Sequence, residues 1–247
     1  MEFSILTTRS ADGDDGRLYP IPTADGNGVR IENWDGETHR LIARGVEVSE
    51  LVAGDLTTRH RVKGGEVGVI ITDSRLAVVC SKHAEDSGWP GFWIGGPVTI
   101  GYNALSKPGA THRRRRKAIV GQVRYPWLRC VGSRAKTSWR STEEIRLGIV
   151  AKTRDGMARE IFLDVALPKE VNSADVARWV ATKAARYRLA YGEIENEACR
   201  SQLEELAAGP TLAPSEPKKF AVYEMPLYAF VNAASAYPPP ASGRQTP

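Results

Sequence analysis

The 247 residues can bury a substantial core, and 42% apolar with 26% charged residues is the composition of an ordinary globular protein. No stretch approaches the roughly 18 to 20 apolar residues that span a bilayer, and the opening MEFSILTTRS, with an acid at position 2, does not read as a secretory signal. Cys80, Cys130 and Cys199 are odd in number and widely spaced, which points to a reduced cytoplasmic chain without a disulfide frame.

The net charge of +5 is unevenly distributed. Residues 87–142 hold eleven Lys or Arg and no carboxylate, so that interval carries +11 and the rest of the chain −6. Residues 1–60 hold eleven acids against six Lys or Arg, a net −5. Such asymmetry calls for an anionic partner or for pairing within the chain.

In chain order, residues 1–45 form an Asp/Gly-rich acidic lead-in, loosely structured, with short strands near FSILTT and GVRIEN. HRLIARGVEVSELVAG fits short strands or a helical turn equally well. EVGVIIT and RLAVVCS flank Asp73 and Ser74, a tight-turn pair. Their consecutive apolar positions predict cover on both faces. PVTIGYNAL reads as a strand, and KAIVGQVRY and WLRCVGS as two more separated by Pro126, which marks a bend or edge. EIRLGIVAK alternates, with Ile145, Leu147, Ile149 and Ala151 on one face. Asp155-Gly156 turns it back into REIFLDVAL, whose Ile161, Leu163 and Val165 face inward.

A helix follows, capped by Asn172 or Ser173, with Val176, Trp179, Val180, Lys183, Tyr187 and Tyr191 along one stripe. Only Lys183 interrupts the apolar face. Gly192 breaks or bends the helix, and residues 192–208 extend it to a stop at Gly209-Pro210. Residues 209–247 form a Pro/Ala-rich tail expected to be mostly disordered. FAVYEMPLYAFV within it carries too many large apolar side chains for an inert tail and is expected to dock on the domain or on a partner.

The hairpin GVIITDSRLAVVCS resembles the T-x-x-RL strand pair of GRAM and bacterial pleckstrin-homology-like domains, with Thr72, Arg75 and Leu76 at those positions. The helix SADVARWVATKAARY is similar to that family's closing helix, and Trp179 takes the place of its tryptophan. The resemblance covers roughly residues 50–190. It implies an α+β fold: a bent antiparallel β-barrel of about seven strands over 46–191, capped by the amphipathic helix. Trp179 would then be a core plug. The insertion HAEDSGWPGFWIGGP and both terminal extensions depart from the family pattern.

HRRRRK, residues 112–117, is the sharpest local feature. Five adjacent cations repel one another unless an anion or the acidic lead-in neutralises them. Arg pairs bidentately with phosphate, so the candidate anion-binding set is Arg113, Arg114, Arg115, Arg116 and Lys117, aided by Lys107 and Arg124. The family's own lipid loop has no counterpart, because TDSR is short and poor in cations. The expectation is a non-enzymatic binding or adaptor module at an anionic membrane surface or acidic protein, cytoplasmic or peripheral at the membrane, with homo-oligomers as a further option.

The alternative is a nucleic-acid-binding protein, with Trp89, Phe92, Trp93, Tyr102, Tyr125, Trp127 and Trp139 stacking bases along the basic block. No helix-turn-helix or RNP-like motif accompanies them. GWPGFWIGGP could dip into a membrane or fold back as cover. Cys80 and His83 have metal-like spacing but no second pair, and there is no phosphate-binding glycine motif or nucleophile elbow. No cofactor, metal or catalytic residue is therefore expected.

Overall fold

The computed structural model describes residues 2–5, 24–25, 28–29, 31, 35–80, 119–136, 142–152, 158–192, 194, 196–212 and 219–226. The strand expected at PVTIGYNAL and the whole of HRRRRK lie outside these residues.

The strands are β1 (Glu2–Ile5), β2 (Ala24–Asp25), β3 (Gly28–Val29), β4 (His39–Val52), β5 (Asp55–Ile71), β6 (Arg75–Cys80), β7 (Ile119–Arg124), β8 (Leu128–Arg134), β9 (Glu144–Lys152), β10 (Ala158–Ala166) and β11 (Ala221–Glu224). The helices are α1 (Ser173–Tyr191) and α2 (Glu197–Ala207). Nine strands make one antiparallel sheet in the order β1-β7-β6-β5-β4-β10-β9-β8-β11, and β2 pairs with β3 apart from it. Among the described residues the fold is thus mixed α+β, built on a large antiparallel sheet with two helices. The described ladders leave two sheet edges, β1 and β11, rather than a closed ring.

The undecided segment from His39 is strand. β4 pairs with β5 on one side and, in unbroken register, with β10 on the other; the register shifts at Ala43/Gly45 and Val48/Ser49 place the extra residues on β5, which is the bulged strand. The tip of the β4–β5 hairpin, Ala53-Gly54, has φ of 51° and 91°, the left-handed pair that a two-residue hairpin turn requires. β5 is longer than its apolar part predicts. DLTTRHRVKGGE carries no buried-strand pattern, and its pairing to β4 is what makes it strand.

The apolar faces follow the predicted alternation. Ile145, Leu147, Ile149, Ile161, Leu163 and Val165 are all buried in the main core. On β5 and β6, Val67, Val69, Ile71, Leu76 and Val78 face that core, whereas Ile70, Ala77 and Val79 form a second small cluster under Ile31. The consecutive apolar run therefore has cover on both faces, the outer one from the N-terminal segment.

Asn172 is the cap of α1: its side chain accepts from the amides of Ala174 and Asp175. Ser173 instead turns its hydroxyl to Glu143 (2.5 Å). The stripe facing the sheet is Ala177, Val180, Ala181, Ala184 and Ala185, rotated from the predicted one. Small side chains let the helix approach closely, and Trp179 moves to its flank, partly buried against the core. Tyr191 is 54% exposed and leaves the stripe. After Gly192 the chain restarts at the Asn196 cap, and α2 packs on α1 through Leu203 and Leu206. The tail then returns: β11 pairs with β8, so FAVYEM docks on its own domain.

The Glu143 carboxylate gathers the Ser173 amide and hydroxyl and the Lys136 amide, which joins β8, β9 and the start of α1. Burial alone would raise its pKa, but these donors outweigh burial and hold it below the usual carboxylate range. A depressed folded value adds stability above the ordinary range near 4.5 and loses it as pH falls through the folded value. Glu143→Gln should therefore lose less stability than wild type between pH 6 and pH 3 in urea titrations. Equal acid losses would contradict this role. At Gly148 a Cβ would run into Cys130 Sγ on β8 and crowd Phe162. Gly148→Val should cost about 1–3 kcal/mol by overpacking. Adding Cys130→Ala should return part of that loss, and strict additivity in the double mutant would rule the contact out.

Candidate functional site

The largest polar assembly among the described residues sits where the β5–β6 turn meets α1. Asp35 is wholly buried and Arg75 is 2% exposed. They form a bidentate pair, Arg75 Nε to Asp35 Oδ1 at 2.8 Å and Nη2 to Oδ2 at 2.7 Å. Ser74 Oγ also donates to Oδ1 (2.8 Å), and Arg75 Nη1 donates to Gln122 Oε1 (2.8 Å). Thr72 Oγ1 accepts the amides of Ser74 and Arg75, and the Asp35 carbonyl accepts the amide of Asp73 (2.8 Å). The turn TDSR is thus folded around one carboxylate that lies 37 residues upstream of Thr72.

A charged rim covers this core. Lys183 of α1, 6% exposed, donates to Glu37 Oε2 (2.9 Å) and to Asp73 Oδ1. Asp73 Oδ2 accepts the Glu37 amide (2.7 Å). Gly36 between them has φ +67°, and a Cβ there would collide with the Asp73 carboxylate, so glycine is needed for the approach. Glu37 also meets His39 Nε2 (2.9 Å), and its carboxyl is held below the usual range, first by Lys183 and then by His39. The Trp179 ring closes the circle, edge-on to His39 (4.1 Å) with the Lys183 ammonium 5.1 Å from its centre. The interruption of the apolar stripe at Lys183 is therefore a clasp between helix and turn.

The 3-10 turn Tyr125–Trp127 joins β7 to β8 beside this cluster. Tyr125 is fully buried and donates to the Thr72 carbonyl (2.6 Å). Burial, helped by Asp73 and Asp35, pushes its phenol far above the ordinary range, so it stays a neutral donor. Arg188, five residues beyond Lys183 on α1, donates to the carbonyls of Tyr125 (3.2 Å), Pro126 (3.0 Å), Leu128 and Pro226 (2.8 Å).

The sequence-predicted anion set is divided by the fold. Arg113, Arg114, Arg115, Arg116, Lys117 and Lys107 lie outside the described residues, within the segment 81–118 that links β6 to β7. Arg124 is described, and it is 3% exposed. It stands opposite Arg75 in the β6–β7 ladder, whereas 81–118 leaves from the Cys80–Ile119 end of the same ladder. Five residue steps separate the two ends, about 17 Å at the rise of a strand. Arg124 belongs to the buried cluster; the period-2 pattern of IVGQVR does not tell a buried cation from an exposed one.

Other cations of the basic block are engaged within the chain. Arg129 pairs with Glu160, and Arg134 pairs with Glu144 and stacks on Phe220 (4.5 Å). The block's aromatics that are described serve the core: Tyr125 is internal and Trp127 packs against the main cluster. Trp89, Phe92, Trp93, Tyr102 and Trp139 lie outside the described residues.

Sequence reasoning missed Asp35 and Gln122 because each meets its partner only through the fold. Lys183 was signalled, as the one charge on an apolar stripe. Among the described residues no group of three His, Cys, Asp or Glu could hold a metal. No described helix is long and apolar enough to cross a membrane. The assembly's chemistry is that of a brace, with its carboxylates and cations neutralising one another. Removing one partner strands a buried charge. Asp35→Ala should cost about 3–5 kcal/mol, read as a fall in urea midpoint. Asp35→Ala with Arg75→Leu should recover much of the loss. A loss under 1 kcal/mol for the single variant would deny the pair its role.

Neither a family model nor a curated protein matches this chain.

Proposed function

We propose that the chain is a non-enzymatic binding module of pleckstrin-homology-like or GRAM-like architecture that engages an anionic membrane surface through the basic run at 112–117, with Lys107. Support for the architecture comes from the order of elements among the described residues: seven antiparallel strands, β4 to β10, then α1 packed against β8 and β9. β4 is shared between the first four strands and the last three, and its partner β5 carries the bulges. Thr72 and Arg75 of the T-x-x-RL pattern organise the turn, and Trp179 lies against the core.

The observation that carries the functional reading is the state of the acids. Asp35 is committed to Arg75, Glu37 and Asp73 to Lys183, Glu144 to Arg134, Glu160 to Arg129 and Asp164 to Arg146. Asp35 and Glu37 come from the acidic lead-in, so these two members of it serve the clasp. A run of five cations then favours an external anion, and Arg is the side chain best shaped to pair with phosphate. Attraction of this kind scales with surface charge and weakens with salt.

Co-sedimentation with vesicles tests the reading. Wild type should pellet with vesicles containing phosphatidylserine and not with neutral phosphatidylcholine. The fraction bound should fall as salt rises, and Arg113–Arg116 all changed to Ala should abolish pelleting with melting unchanged. Equal pelleting of wild type and the quadruple variant would overturn it. Failure of both to pellet, alongside retention of an acidic protein or of nucleic acid, would move the run to that partner.

A further inference from the structure

The C-terminal strand sits on the sheet as a bound peptide sits on a receptor. Residues 219–226, KFAVYEMP, are reached from Leu212 through the six residues 213–218, which include Pro214 and Pro217. The strand adds antiparallel to the edge of β8, with Ala221 opposite Ser133 and Glu224 opposite Cys130. The ladder continues beyond the strand, where the Met225 amide donates to the Arg129 carbonyl (2.7 Å).

Side chains at alternate positions enter separate environments. On the outer face Phe220 lies against two guanidiniums, 4.5 Å from Arg134 and 4.2 Å from Arg146, over the space left by Gly132. On the inner face Tyr223 and Met225 are buried in the main core, and the Tyr223 hydroxyl donates to the Pro210 carbonyl (2.9 Å). Arg188 of α1 holds the Pro226 carbonyl at the far end. Gln202 of α2 donates to the Glu224 carbonyl (3.1 Å). The acceptor is therefore built by β8, β9, α1 and α2, and takes part of its affinity from main-chain pairing and its selectivity from three side chains.

We propose that the β8 edge is a docking groove for an extended segment of a partner protein with the pattern aromatic-x-x-Tyr-x-Met-Pro, and that β11 is its occupant in cis, displaced when the partner binds. The chemistry of the occupant is read from the strand already seated there. The short tether gives β11 an effective concentration on the order of millimolar, so a free segment competes only when it is abundant or makes further contacts. An aromatic ring between guanidiniums supplies selection at the first position. Tyr223 is selected for both its ring and its hydroxyl, because a buried hydroxyl needs the Pro210 carbonyl.

The register supplies a lock for the test. The Met225 amide donates to the Arg129 carbonyl across the ladder, so Glu224 and Cys130 form the adjacent non-hydrogen-bonded pair, with Cα atoms about 4.5 Å apart. That separation suits a disulfide. Glu224 is exposed and its replacement leaves the buried contacts intact. Burial pushes the Cys130 thiol up to about 11, with Glu224 adding to the shift, so the lock needs a strong oxidant such as copper-phenanthroline.

The experiment titrates a fluorescent KFAVYEMP peptide, and a scrambled one, into full-length Glu224→Cys, reduced and oxidised. The reduced chain should bind the peptide at near-millimolar concentration and the oxidised chain at least about tenfold more weakly. Tyr223→Ala with Met225→Ala, which frees the groove, should bind at least about tenfold tighter than wild type if it folds. The locked pair decides the matter if it does not. Equal binding by reduced and oxidised chains, or no preference over the scrambled peptide, would overturn the groove. Disulfide-linked dimers of Glu224→Cys that vanish with Cys130→Ser would overturn the partner reading and give the edge to a second copy of the chain.

Discussion

The buried pair of Asp35 and Arg75 is the constraint on which this structure turns. Taking two charges out of water costs several kcal/mol per ion, and attraction offsets that only with near-ideal geometry and satisfied remaining atoms. Both conditions are met here. The pair is bidentate, Ser74 serves the Asp35 carboxylate, and Gln122 takes the third Arg75 nitrogen. Three parts of the chain are thereby held together: the segment at 35–37, the β5–β6 turn, and β7 through Gln122. Asp73, set by that turn, then reaches Lys183 and brings in the helix.

α1 works as a bar with two anchors. Its inner face is mostly alanine, so close approach to the sheet rather than large side chains seats it. Lys183 ties it to the turn and to Glu37, and Arg188 ties it to the β7–β8 corner and to the C-terminal strand. Long cations at positions 183 and 188 do what a wholly apolar stripe cannot, because main-chain carbonyls at a corner need donors when buried. The segment at 35–37 and the C-terminal strand are each pinned to the same helix.

The charge map gains meaning from this arrangement. A basic block of eleven cations against none of the opposite sign looks uniform along the chain. In three dimensions it separates. Arg124 is internal, and Arg129 and Arg134 meet Glu160 and Glu144 from strands later in the chain. The clasp and the exit of segment 81–118 lie at opposite ends of the β6–β7 ladder.

Much of the core could be read from the chain. The alternation in EIRLGIVAK and REIFLDVAL assigns the buried face, because a one-residue slip would turn Ile145, Leu147 and Ile149, or Ile161, Leu163 and Val165, out of the core. The TDSR turn, the Asn172 or Ser173 cap and the stop at Gly209-Pro210 were legible for similarly local reasons. The docking of FAVYEM was legible as a need for burial but not as a destination. What the sequence could not supply was any contact whose partner is set by topology. Asp35 finds Arg75 forty positions away, Lys183 finds Glu37 across 146, and Arg134 finds Glu144 across a strand pair. The strand character of DLTTRHRVKGGE and the alanine seam of α1 belong with these, since pairing and packing decided them against weak local preference. Local chemistry therefore determined the elements and their buried faces; only tertiary structure decided which charges would neutralise each other, because opposite charges anywhere in the chain are equivalent until folding brings two of them within hydrogen-bond reach.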